Sequence, residues 1–143
     1  MNASRVLLAA FLLLGTPALL HGAQEYLLGG PCEYQSYPGQ ATIAVSRPRP
    51  LAPGEQNPGY QPYEVTFTFS PDDPVPRGLY VPQRQYRLTL TDGSDPGPKF
   101  VAKYRLKPGH TRKCLLQVIK KGTCTPVMFF FPGLDSNDYS LPR

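Results

Sequence analysis

Apolar and polar residues alternate along much of this chain, the period expected of strands that bury one face. The clearest run is 63–69, where Tyr63, Val65, Phe67 and Phe69 share one side and Glu64, Thr66 and Thr68 the other. Ile43 and Val45 repeat the pattern within 42–46, and Tyr86, Leu88 and Leu90 do so against Arg87, Thr89 and Thr91. Phe100, Ala102, Tyr104 and Leu106 predict a further strand, with Lys99, Lys103, Arg105 and Lys107 on its opposite face. Two more runs, 115–119 and 127–131, are apolar at adjacent positions, which predicts strands covered on both faces. No window carries a sustained 3.6-residue apolar repeat, so no ordinary helix is expected.

Proline and glycine punctuate these runs. The stretch 47–62 contains Pro48, Pro50, Pro53, Pro58 and Pro62, which predicts an extended excursion, and 71–82 has the same character. Asp92-Gly93-Ser94-Asp95-Pro96-Gly97-Pro98 is turn chemistry, and Lys120-Lys121-Gly122 is placed at a hairpin tip. The expected fold is all-β, a small antiparallel sandwich or barrel of about six strands with long Pro-rich loops. Val65, Phe67, Phe69, Leu88, Leu90, Phe129 and Phe131 form its expected core. A single β domain is placed at 23–134, followed by a polar tail at 135–143 expected to fray.

The N-terminus adds a destination. A short basic start ending at Arg5 precedes the apolar run 6–14, a Gly15-Thr16-Pro17 break and small residues at Gly22 and Ala23. That order predicts a signal peptide over 1–22, cleaved after Gly22. The apolar run is too short and too interrupted for a membrane anchor of about 20 residues. Loss of Arg5 takes the 15 basic side chains to 14 against 10 acidic ones, a net charge of +4. The expected location is secreted or periplasmic. A mature part without an Asn-x-Ser/Thr sequon leans toward a bacterial envelope.

Export gives the three cysteines, Cys32, Cys114 and Cys124, a redox meaning: one disulfide and one leftover thiol, or a bridge to a partner. A two-residue tip at Lys121-Gly122 sets Cys114 opposite Phe129 and Cys124 opposite Ile119. Those cysteines would then lie about 17 Å apart along the strands, beyond the reach of a disulfide. Cys32 must therefore supply one partner of any intramolecular bond. Cys124 is preferred, because first and last strands meet when a small barrel closes, with Cys114 as the alternative.

Candidate chemistry is sparse. Cys114 and Cys124 lie ten apart and His110 stands alone in a Pro-Gly-His-Thr turn, so a zinc site is not expected, and no cofactor is. Asp92, Ser94 and Asp95 lack the rest of a calcium loop and read as a turn. No nucleophile elbow or phosphate-binding glycine loop is present, and enzymatic activity is not expected. Loop tyrosines Tyr60, Tyr63 and Tyr80 suit ligand contact or the covering of a barrel end. From Pro96 to Leu134 there is no acid and there are eight cations. Lys99, Lys103, Arg105 and Lys107, at alternate strand positions, would form a candidate anionic-ligand stripe with side chains about 6.6 Å apart. Lysines on an exposed strand equally serve to block edge-to-edge pairing. Two stretches, Cys32-Glu33-Tyr34 and Gly122-Thr123-Cys124-Thr125-Pro126, read as a motif without an assigned activity.

The expectation for function is an exported, non-catalytic binding or structural module. The alternatives are a small secreted hydrolase with a site assembled from scattered residues, and an electrostatic binder of anionic polymer through a cationic strand. Candidate partners are an anionic polymer, an anionic membrane surface or another envelope protein.

Overall fold

The computed structural model describes residues 31–76, 78 and 80–138. The signal-peptide reading of 1–22 and the end of the expected tail lie outside the described residues. The described chain forms β1 (Glu33–Pro48), β2 (Tyr63–Pro71), β3 (Tyr86–Arg87), α1 (Pro98–Lys103), β4 (Thr111–Lys121) and β5 (Val127–Phe130). The strands make one antiparallel sheet in the order β3-β2-β1-β4-β5. It curls into a half-barrel, so the all-β class stands, with one curved, open sheet of five strands where a sandwich or barrel of about six was expected.

β1 is the spine, paired with β2 on one side and β4 on the other. Alternation marks only 42–46, yet the strand starts nine residues earlier, through Pro38 and Gly39. Two local features make that possible. The Pro38 carbonyl accepts from the Asp72 N–H at 3.0 Å, so its nitrogen faces the same side, past the end of β2, and no bond to β4 is lost. At Gly39 a Cβ would sit 2.4 Å from the Ser70 carbonyl oxygen, so the close approach of β2 requires glycine.

The concave face holds the core. Val65, Phe67, Phe69, Leu88, Leu90 and Phe131 are buried together with Ala41, Ile43 and Leu116, and Phe129 packs against them. Phe67 lies at the centre, its ring edge-on to Phe129 and Phe131 at 5.1 and 5.0 Å. Phe130 is 55% exposed, so β5 is covered on one face, not on both as its apolar run predicted.

The stretch expected as a strand over 100–106 opens as α1. Pro98 occupies its first turn, where a fixed φ and a missing N–H suit a helix start. The rings of Phe100 and Tyr104, one turn apart, meet at a tilt with centroids 4.6 Å apart, and both are buried in the core. The helix ends in a Schellman turn: Leu106 N–H donates to the Val101 carbonyl and Arg105 N–H to that of Ala102, with Arg105 at φ 50°. Ala102, assigned to the buried side, is exposed.

The β4–β5 hairpin register also differs from the expected one. β4 pairs with β5 as Leu116↔Phe129 and Val118↔Val127, two residues from the register that set Cys114 opposite Phe129. β4 continues to Lys121 because Glu33 of β1 pairs with it there, leaving 122–126 as the connection.

Candidate functional site

An odd number of antiparallel strands leaves the two outer strands running the same way. β3 and β5 are therefore mutually parallel and cannot join as a further antiparallel pair. Where the sheet curls, these edges face each other across a slot of about 720 Å³. Its floor is aromatic: the rings of Tyr86 and Phe129 meet at 4.5 Å, with Phe67 and Phe131 beside them. Its walls are lined by residues 87–91 and 126–129.

Main-chain groups point into the slot from both walls. Ile119 N–H donates to the Pro126 carbonyl at 2.9 Å, which makes 119/126, 117/128 and 115/130 the hydrogen-bonded pairs. The amides and carbonyls of Val127 and Phe129 thus face away from β4. Leu88 N–H donates to the Val65 carbonyl at 2.9 Å, so the alternate residues Arg87 and Thr89 face away from β2. Thr91 follows the same phase, and its N–H is taken by the Ser136 carbonyl at 3.1 Å, closing one end of the slot. Asp138 also holds this segment, accepting from the Lys103 ammonium and the Tyr104 hydroxyl. The chain is therefore fixed to the body through 138, beyond the point where fraying was expected.

The opposite end is built by the two stretches read as a motif. Cys32 and Cys124 form a disulfide, Cα atoms 6.2 Å apart. A Cβ on Gly122, at φ 100°, would meet the Cys32 sulfur at 2.7 Å, and the Tyr34 hydroxyl donates to the Thr125 carbonyl at 2.9 Å. The motif is a joint that fixes the start of β1 to the turn before β5. The preferred cysteine pair is the observed one, but its cause is the β1–β4 pairing, not barrel closure. It is compatible with an oxidising, extracellular compartment. Cys114 is a buried free thiol, and burial pushes it up to about 12.

A charged cluster behind β3 went unrecognised in the sequence. The Asp95 carboxylate is fully buried and receives Arg49 Nε at 2.5 Å and Arg87 through two nitrogens, at 2.8 and 2.5 Å. Arg49 also forks onto Glu55 at 2.8 and 2.5 Å, and Tyr60 donates to the Asp95 carbonyl at 2.8 Å. Arg49, Arg87 and Asp95 are each plain loop or strand residues locally, and only the fold brings them together. The network ties down the 49–62 excursion, which contains no strand or helix.

The candidate stripe loses its straight row. Lys99 and Lys103 lie one helical turn apart on α1, Arg105 is in the terminating turn, and Lys107 follows it. All four are exposed, with Lys103 paired to Asp138. Arg105 instead joins His110, Arg112 and Lys113 around a cleft of about 340 Å³. His110 itself is exposed in its turn, and Asp92 accepts from Ser94 in the expected local turn. Among the described residues no three His, Cys, Asp or Glu side chains are grouped to hold a metal ion.

No protein-family model matches the chain. No curated protein and no solved structure matches it.

Proposed function

We propose that this chain is an exported, non-catalytic binding module whose binding face is the slot between β3 and β5. The observation that carries the reading is the slot's composition: an aromatic floor of Phe67, Tyr86, Phe129 and Phe131, under two walls on which the main-chain groups of Arg87, Thr89, Val127 and Phe129 turn away from β2 and β4 toward the slot. Such a surface combines apolar contact with directional hydrogen bonding, the usual make-up of a ligand site. A neutral solvatochromic dye, Nile red, tests it. The folded protein is expected to bind one dye per chain, and Val127→Lys, at the half-buried base of one wall, to abolish the signal while leaving the circular dichroism unchanged. A wild-type protein that binds no dye would remove the slot from consideration.

A second reading, attraction of an anionic polymer or anionic membrane surface, is favoured by the cleft lined by Arg105, His110, Arg112 and Lys113. With the exposed Lys99 and Lys107 nearby, it concentrates positive potential on one side of the domain. Replacing Lys99, Arg105 and Lys107 by Ser is expected to release the protein from heparin at lower salt. Elution at the unchanged salt concentration would reject this reading.

A further inference from the structure

We propose that the slot receives an extended segment of a partner protein as a sixth strand, antiparallel to both β3 and β5; this rests on the slot being the binding face. Three independent features of the edges agree. Direction is the first. Since β3 and β5 are parallel, one strand running opposite to both completes an alternating sheet of six, which five strands cannot close.

Pleat phase is the second. On β5 the slot-facing amides belong to Val127 and Phe129, whose side chains pack against the core. On β3 the slot-facing groups belong to Arg87 and Thr89, on the face opposite the buried Leu88 and Leu90. Paired antiparallel residues point their side chains to the same face. An inserted residue bonded to Val127 or Phe129 therefore points inward, and its neighbour, pointing outward, has its main-chain groups toward Arg87 or Thr89. One strand satisfies both walls without a bulge. With the opposite phase on either wall, that fit would fail.

Charge is the third. Tyr86 touches Phe129, and Arg84, two residues before Tyr86 and just ahead of β3, lines the same slot as Val127 toward the disulfide-linked end. Its guanidinium sits 5.7 Å from the Tyr86 ring centroid and has no carboxylate partner among the described residues. The inserted strand runs toward that end, so its C-terminal residue meets Arg84. The partner chemistry is thus about five residues with apolar side chains at alternate positions, ending in an acid or a free carboxylate.

Amide hydrogen exchange on the intact protein tests this, with the synthetic peptide acetyl-Val-Thr-Val-Thr-Val-Asp as probe. The amides of Val127, Phe129, Arg87 and Thr89 are expected to exchange freely without peptide and at least about tenfold more slowly at saturation. The peptide methylated on alternate nitrogens should give no slowing. Arg84→Glu should weaken the probe about tenfold and restore binding to the same peptide ending in Lys. Absence of slowing while Nile red still binds would overturn the inserted strand and leave the slot as a binding site. Slow exchange before any peptide is added would show the edges already paired by another part of the chain and overturn the partner. Protection that grows with protein concentration would assign the slot to a second copy and overturn it equally.

Discussion

Asp95 is a carboxylate without solvent contact, held by two guanidinium groups that each retain some exposure. Its charge is tolerated because Arg49 and Arg87 supply both compensation and three hydrogen bonds. Asp95→Asn keeps the shape and removes the charge, and is expected to cost about 2–3 kcal/mol in urea unfolding, with faster proteolysis within 49–62. A loss below about 0.5 kcal/mol would mean the network merely decorates the loop. Glu55 gives the same cluster a pH dependence. Hydrogen bonds from Arg49, then from the Ala52 amide, lower its carboxyl to about 2. A carboxyl lowered in the folded state stabilises above its unfolded value of about 4.3, and that contribution fades as pH falls toward about 2. The urea midpoint should therefore drop across this window, less steeply in Glu55→Gln, and parallel profiles would contradict the assignment. None of this was legible beforehand. Asp95 sits in a run of turn residues, and Arg49 and Arg87 lie 46 and 8 positions away.

Elements were legible wherever a buried face alternates over many residues. β2 is the clear case, since Val65, Phe67 and Phe69 are buried with Thr66 and Thr68 less so. Phe67 contacts Tyr86, Phe129 and Phe131, joining both edges of the slot through one ring. Phe67→Ala is expected to destabilise by about 3–5 kcal/mol in chemical denaturation. A cost under about 1 kcal/mol would show that the half-barrel does not depend on this contact. The stretch 100–106 reads as a strand because residues four apart share a face in a helix and in a strand alike. Phe100 and Tyr104 satisfy both templates, and Pro98 with the tight turn at Arg105 decided between them. β1 was underestimated for the converse reason. Its first half is polar and interrupted, and it is a strand because β4 lies beside it.

The whole domain is an open sheet with its ends fastened, and the disulfide is the principal covalent fastening. Cys32 and Cys124 are 92 residues apart in sequence, so their bond closes a long loop in the unfolded chain. Replacing both by Ser is expected to remove up to about 4–5 kcal/mol, read as a lower urea midpoint. An unchanged midpoint would place the stability elsewhere. The slot as a whole could not be read from the sequence, since it depends on strand count and curvature, which no local pattern encodes. Connectivity also has a temporal side. Cys114 precedes Cys124 in the chain, so a nascent polypeptide oxidised in order of synthesis would join Cys32 to the wrong thiol. Once Cys114 lies in β4 opposite Gly39, with its thiol up at about 12, it neither attacks nor is reached. β-Sheet assembly must therefore run ahead of oxidation, or an isomerase must undo the early bond. Oxidation of the chain while it is still unfolded should give non-native bonds to Cys114 that folding before oxidation avoids, and Cys114→Ser should reach the oxidised form in a single phase under either order. The buried third cysteine makes correct maturation a race between folding and oxidation.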